Sequence, residues 1–300
     1  MQHLPQKAIQ ALKDRGHTGS FKLSGSKLYF DNGKIFLFKS ASRSSAEQLI
    51  GEAKSLADMS TALPGICPEL IDTSDQDDAT FYMITEWHDL GSLSTEQIKR
   101  FGKDLARMHL ESNETNGRFG YDIPTYCGHT RFKNQWNKSW IDFLNNDRFG
   151  YLLEEICGSN GRGDKELWQL GQTLRNKTVP ALLSKVDVKP SLLQGDLWAG
   201  NASYSHTTKR PITYDACCFY GHNEAELGIA VMFGGFGSPF FEAYHSVYPK
   251  AEPVEEYGQR LKLYELIHHL NHYAIFGGMY RNGAVSIMKS LNKYVESKEN

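Results

Sequence analysis

Three oxygen-bearing side chains in one stretch of this chain could do chemistry together: Asp196, Asn201 and Asp215. The apolar pair Leu192-Leu193 runs into Gln194-Gly195-Asp196, and Asn201 stands five positions after that Asp. A second apolar run, Pro211-Ile212-Thr213-Tyr214, ends in Asp215. Phosphoryl transfer needs this set of groups. One carboxylate orients the attacking hydroxyl and accepts its proton, while an amide and a second carboxylate offer hard oxygen ligands to magnesium. The Asp-to-Asn spacing of five is that of the kinase catalytic loop, and Asp215 stands nineteen residues after Asp196, where a metal-binding Asp is expected. A lone Gly-Asp-x4-Asn is usually a surface turn. The following strand that ends in Asp, with a kinase-like small lobe upstream, turns the reading towards function.

A catalyst of this kind also needs a phosphate-binding cation and a place for the nucleotide. Lys39 closes a third expected strand, and Glu52 on the next helix borders its apolar stripe, where it can fix the lysine by an ion pair. Gly16-His17-Thr18-Gly19-Ser20 precedes the first strand, and its small residues Gly16, Gly19 and Ser20 could let backbone N–H groups approach phosphates. Glu86, Trp87 and His88 close the fifth strand at the lobe boundary, a hinge at which adenine is bound through backbone groups. Trp198, inside the catalytic loop, could stack on a sugar face or anchor the loop. Trp136 and the nearby aromatic-rich, irregular stretch Phe119 to Phe132 are candidates for the acceptor pocket. His109, at the end of a helix, reads as structural, and Gly234-Gly235-Phe236-Gly237 reads as a helix-to-helix turn.

The elements that must position these groups follow from periodicity. Lys27 to Phe30 and Lys34 to Lys39 flank Asp31-Asn32-Gly33, a strong hairpin signal. Ala46, Leu49, Ile50, Ala53, Leu56 and Ala57 repeat at helical spacing, and strands at Glu69 to Thr73 and Thr80 to Trp87 follow, parted by the acidic turn Asp75 to Asp78. Beyond Gly91 helices dominate: Thr95 to Leu110, one near Asn134 to Asn145, Lys165 to Ser184, Ala225 to Phe233, Gly237 to Tyr248, Tyr257 to Phe276 and Val285 to Tyr294. The pattern predicts an α+β, two-lobed protein-kinase-like fold. A small antiparallel-sheet lobe with one helix, residues 1–88, binds nucleotide, and a larger, mainly helical lobe, residues 89–300, carries catalysis and the acceptor.

Bulk composition narrows the partners. With 33 basic and 35 acidic side chains the net charge is -2, which argues for neither nucleic acid nor an anionic membrane as partner. Five cysteines without a CxxC spacing indicate neither a disulfide framework nor a zinc site, and no apolar run is long enough to span a membrane. Residues Met1 to Gly16 are polar and helix-like and lack the apolar core of a signal peptide, so a cytoplasmic protein is expected.

Gln194-Gly195-Asp196-Leu197-Trp198-Ala199-Gly200-Asn201 resembles the HGDLWSGN motif of the fructosamine kinase (ketosamine 3-kinase) family. Tyr214-Asp215, Tyr220-Gly221-His222, Glu226-Leu227 and Met232 to Phe236 resemble that family's next conserved block, and the similarity continues to Leu270-Asn271-His272-Tyr273. The resemblance implies an aminoglycoside-phosphotransferase-like fold and ATP- and Mg²⁺-dependent phosphorylation of a sugar hydroxyl on ketosamines, in free metabolites or glycated proteins. Two departures stand out: Gln194 replaces the motif's His and Ala216 its Pro. Other readings stay open at this point: a kinase of the same fold acting on an aminoglycoside, choline or homoserine, or a pseudokinase that binds nucleotide without chemistry.

Overall fold

The computed structural model describes residues 4–75, 80–112, 115–159 and 161–299. Its amino-terminal half is an antiparallel sheet of β1 (Phe21–Ser24), β2 (Lys27–Phe30), β3 (Ile35–Ala41), β4 (Leu70–Thr73) and β5 (Phe81–Glu86), in the order β1-β2-β3-β5-β4. Successive side chains of a strand point to opposite faces. Phe36 and Phe38 of β3 and Tyr82 and Ile84 of β5 therefore turn to one face, where Ala8 and Leu12 of helix α1 (Gln6–Asp14) join them in a small core. Leu37, Lys39, Met83 and Thr85 take the opposite face, towards helix α2 (Ala46–Ala62) and the inter-lobe cleft. The lobe thus holds two helices where the fold expectation had one. The acidic turn lies outside the described residues from 76 on.

The strand β6 (Leu90–Gly91) leads into helix α3 (Thr95–Glu111), whose start is fixed by a reciprocal capping box between Ser94 and Gln97. The stretch expected to be irregular contains a short hairpin, β7 (Thr125–Cys127) with β8 (Thr130–Phe132). The helix expected near Asn134 begins only at Trp140, where the Ser139 side chain accepts from the Asp142 N–H. Asn134 is spent otherwise: its φ is +55°, its carbonyl accepts from Tyr121 N–H, and its side chain bonds Thr125 and Arg148. The chain then stays helical from 140 to 157 through a π-turn at Leu144–Gly150.

Strands β9 (Pro190–Leu193), β10 (Ala202–Ser205), β11 (Arg210–Thr213) and β12 (Phe219–His222) form the catalytic segment. β12 pairs with β9, and β10 lies between β11 and β6. Helix Tyr257–Phe276 is central, burying Leu263, Tyr264, Leu266 and Leu270 completely. The last helix, Met279–Glu299, is longer at both ends than its apolar pattern indicates. Leu49, Leu56 and Met59 of α2 and Met83 of β5 are continuous with the carboxy-terminal core, so a shared apolar layer underlies the cleft. Among the described residues no helix is long and apolar enough to cross a membrane.

Candidate active site

The catalytic loop leaves β9 at Gln194. Gly195 has φ +89°, and a Cβ there would lie 2.3 Å from the Cys217 carbonyl oxygen, so the turn admits only glycine. Asp196 follows, and the Asn201 side-chain N–H donates to the Asp196 carbonyl (2.9 Å) and to its carboxylate (3.3 Å). With the amide nitrogen committed in this way, the Asn201 side-chain oxygen is left for a cation. The Asn201 backbone carbonyl accepts from Tyr214 N–H (3.1 Å) and Thr213 Oγ1 (2.6 Å), which brings the residue after Tyr214 alongside. That residue, Asp215, sits at φ +53° with its carboxylate half exposed to the cleft.

Lys39 Nζ lies 2.7 Å from Glu52 Oε1 and 3.0 Å from Asp215 Oδ1. Burial alone would lower the Lys39 pKa, but the two carboxylates outweigh it and hold the ammonium above its usual range. Burial, offset in part by Lys39, pushes Glu52 up. Burial also raises Asp196 to about 7, well above an ordinary aspartate, with Glu226 and Asp215 adding repulsion. Asp196 is thus a carboxylate suited to exchange a proton near neutrality.

Between the lobes lies a cleft of about 270 Å³, lined by Leu37, Leu56, Met83, Ile212 and Tyr214 with Lys39, Glu52 and Asp215 at one end. Glu86, Trp87 and His88 line it at the hinge, as expected from the sequence. Their side chains are engaged: His88 meets Ser205 Oγ at 2.8 Å and Glu86 at 3.5 Å, and Lys27 Nζ stands 4.0 Å over the Trp87 ring.

One expectation needs correction. Gly16, Gly19 and Ser20 do not reach the phosphate end of the cleft. They precede β1, and Ser20 bonds Asp31 at the β2–β3 turn, which the antiparallel register puts at the hinge end of the sheet. The turn that shares a concavity with Lys39 and Glu52 joins β1 to β2 and contains Gly25 and Ser26. Its signal, Ser-Gly-Ser between two short strands, was present in the sequence. Trp136 stacks on Tyr220, lies under Arg118 and donates to Asp122.

Behind the loop, Glu226 is a residue the spacing argument missed. Fully buried, it accepts from the backbone N–H groups of Gln194 and Gly195, and His109 stands 3.4 Å away. Gln194 completes the support: its side-chain oxygen accepts from Asp196 N–H (2.7 Å) and its amide donates to the Tyr214 carbonyl (2.9 Å). It therefore ties the segments carrying Asp196 and Asp215 together.

This constellation can bind a triphosphate beside a hydroxyl acceptor, and comparison with known proteins agrees with the chemistry. The chain is 33% identical to the ketosamine-3-kinase of Mus musculus over 306 aligned positions, covering 94% of this chain and 96% of that protein. It is 39% identical over 207 positions to a chloroplastic protein-ribulosamine 3-kinase of Arabidopsis thaliana, covering 69% of this chain and 60% of that protein. Among solved structures, a Thermobifida fusca fructosamine-3-kinase homologue superposes with a TM-score of 0.77 at 22% identity, covering 97% of this chain and all of that one. A streptomycin–ATP–APH(2″)-IIa ternary complex gives 0.55 at 13% identity, covering 98% and 97%, a likeness of fold. The fructosamine kinase family is matched over residues 2–294, and the chain belongs to that family.

Proposed function

We propose that this protein is an ATP-dependent ketosamine kinase, transferring the γ-phosphoryl group of ATP to a sugar hydroxyl of an amine-linked ketose, as in the repair of glycated amines. The observation that carries the reading is Lys39 against both Glu52 and Asp215 at the inter-lobe cleft, with Asp196 bonded to Asn201 in the adjoining loop, in a member of this family. Adenine occupies the hinge end against backbone groups of residues 86–88. Lys39, oriented by Glu52, takes the phosphates, and the Gly25–Ser26 turn covers them. Asn201 and Asp215 hold Mg²⁺, which when bound neutralises phosphate charge. Asp196 orients the acceptor hydroxyl and accepts its proton as the new P–O bond forms. Trp198 lies against the acceptor sugar. Most of the rate gain comes from positioning and charge compensation.

In this reading residues 1–88 and 89–300 are the nucleotide and catalytic lobes, and the five free cysteines, four of them buried, suit a reducing, cytoplasmic setting. The test is transfer from γ-labelled ATP to a panel: fructosyl-lysine, ribulosyl-lysine, an aminoglycoside, choline and homoserine. Transfer to the ketosamines alone is expected. An inert glycated lysine beside a phosphorylated aminoglycoside overturns the substrate class, and saturable ATP binding without transfer to any acceptor makes the chain a pseudokinase.

A further inference from the structure

An exposed aromatic strip begins inside the catalytic loop and leads away from it. Trp198, two residues after Asp196, meets Phe233 with ring centroids 5.7 Å apart. Phe233 meets His272 at 5.1 Å, and His272 meets Phe276 at 5.7 Å and Tyr280 at 5.0 Å. Beside them Met279 is 81% exposed and Phe276 66%, the two most exposed large apolar side chains among the described residues. The strip is anchored to the loop: Gly235, just after Phe233, packs so closely on Ala199 that an added Cβ would lie 2.4 Å from the Ala199 methyl. Singly exposed apolar residues are ordinary, but a contiguous strip continuous with a catalytic loop marks a binding surface.

We propose that this strip binds the amine-bearing side of the acceptor, and that the substrates it favours are glycated lysines flanked by aromatic or apolar residues in a peptide or protein. The proposal rests on the ketosamine kinase reading above. With the sugar hydroxyl at Asp196, the linking secondary amine, cationic at neutral pH, falls over Trp198 and Phe233, where ring faces stabilise it. The four-carbon lysine stem then runs along the strip and brings the flanking residues to His272, Phe276 and Met279. None of the six side chains carries a formal charge when the histidine is neutral, and burial lowers the His272 pKa. Apolar neighbours gain area here.

The test compares two blocked peptides, Phe-Lys-Phe and Gly-Lys-Gly, each fructosylated on its lysine, together with free fructosyl-lysine, in the wild type and in the Phe276→Ser/Met279→Ser variant. Both substituted side chains project into solvent, so the core is untouched. In the wild type kcat/KM favours the Phe-flanked peptide about tenfold, and the ratio falls towards one in the variant. A wild-type ratio near one, or a ratio the variant leaves intact, overturns the proposal, as does phosphorylation of free fructosyl-lysine with both peptides inert. Transfer to none of the three overturns the kinase assignment itself and the strip's role with it.

Discussion

Lys39 Nζ and Asp215 Oδ1 lie 3.0 Å apart although 176 residues separate them in the chain. The contact spans the cleft and joins the sheet of the small lobe to the catalytic segment of the large one. Glu52 shares the same ammonium at 2.7 Å, so two carboxylates compete for one cation. In the proposed reading a metal-bound triphosphate would relieve that competition, with Asp215 as a ligand to the cation and Lys39 as a partner for phosphate oxygens.

Replacing Lys39 with Met therefore removes the phosphate contact and leaves Glu52 and Asp215 facing each other. We expect kcat/KM for ATP to fall roughly 10²-fold, in line with the loss of one preorganised electrostatic contact. Glu52→Gln should lower it less, because the ammonium stays but loses its orientation. Steady-state kinetics with varied ATP checks both, and a Lys39→Met enzyme with normal ATP dependence removes the residue from the site.

Asp196→Asn should lower turnover by about 10³-fold, within the range of general-base contributions. The same change should stabilise the fold at pH 8. The carboxyl is raised from its ordinary value to about 7, so the folded protein holds a proton that the unfolded chain releases from about pH 4 upward. Stability due to this group is thus lost as pH rises towards 7, and a neutral amide escapes that loss. Denaturant unfolding at pH 5 and pH 8 is the measurement, with a gain of roughly 4 kcal/mol expected at pH 8 and a clearly smaller one at pH 5.

The same shift governs activity. In the proposed mechanism the acceptor hydroxyl needs Asp196 as its carboxylate, so kcat/KM for the acceptor should rise with pH between 5 and 8. Its inflection should lie at or below about 7, since cations bound beside the carboxylate favour its charged form. A flat profile across that range counts against Asp196 as the base.

Gln194 reads as a departure from the family's His, and its two hydrogen bonds give it a definite task. Gln194→Ala leaves a half-buried N–H and a half-buried carbonyl without these partners and should cost about 1 kcal/mol of stability. It should also lower kcat, because Asp196 and Asp215 lose their common tie. Gln194→His, with one donor and one acceptor on its ring, should fall between the wild type and the alanine variant. Equal melting temperatures and turnover for all three would show that the tie is idle.

Much of the site was legible in the sequence because its parts are local. Asp196, Asn201 and Asp215 are spaced within one loop and one hairpin, and Lys39 and Glu52 sit on a strand and helix with clear periods of two and 3.6. Chain order and periodicity fix such features without reference to distant contacts. What only the tertiary structure decided depends on which segments meet. The antiparallel register put the Gly25–Ser26 turn, not Gly16 to Ser20, beside Lys39. Packing buried Glu226 under the catalytic loop and turned Trp136 towards Tyr220. Closure of the lobes set Lys39 against Asp215, and the meeting of three helix ends with the loop laid out the strip from Trp198 to Tyr280. Local patterns specify elements and the faces they bury; proximity between distant segments comes from how those faces close on one another, which no spacing along the chain records.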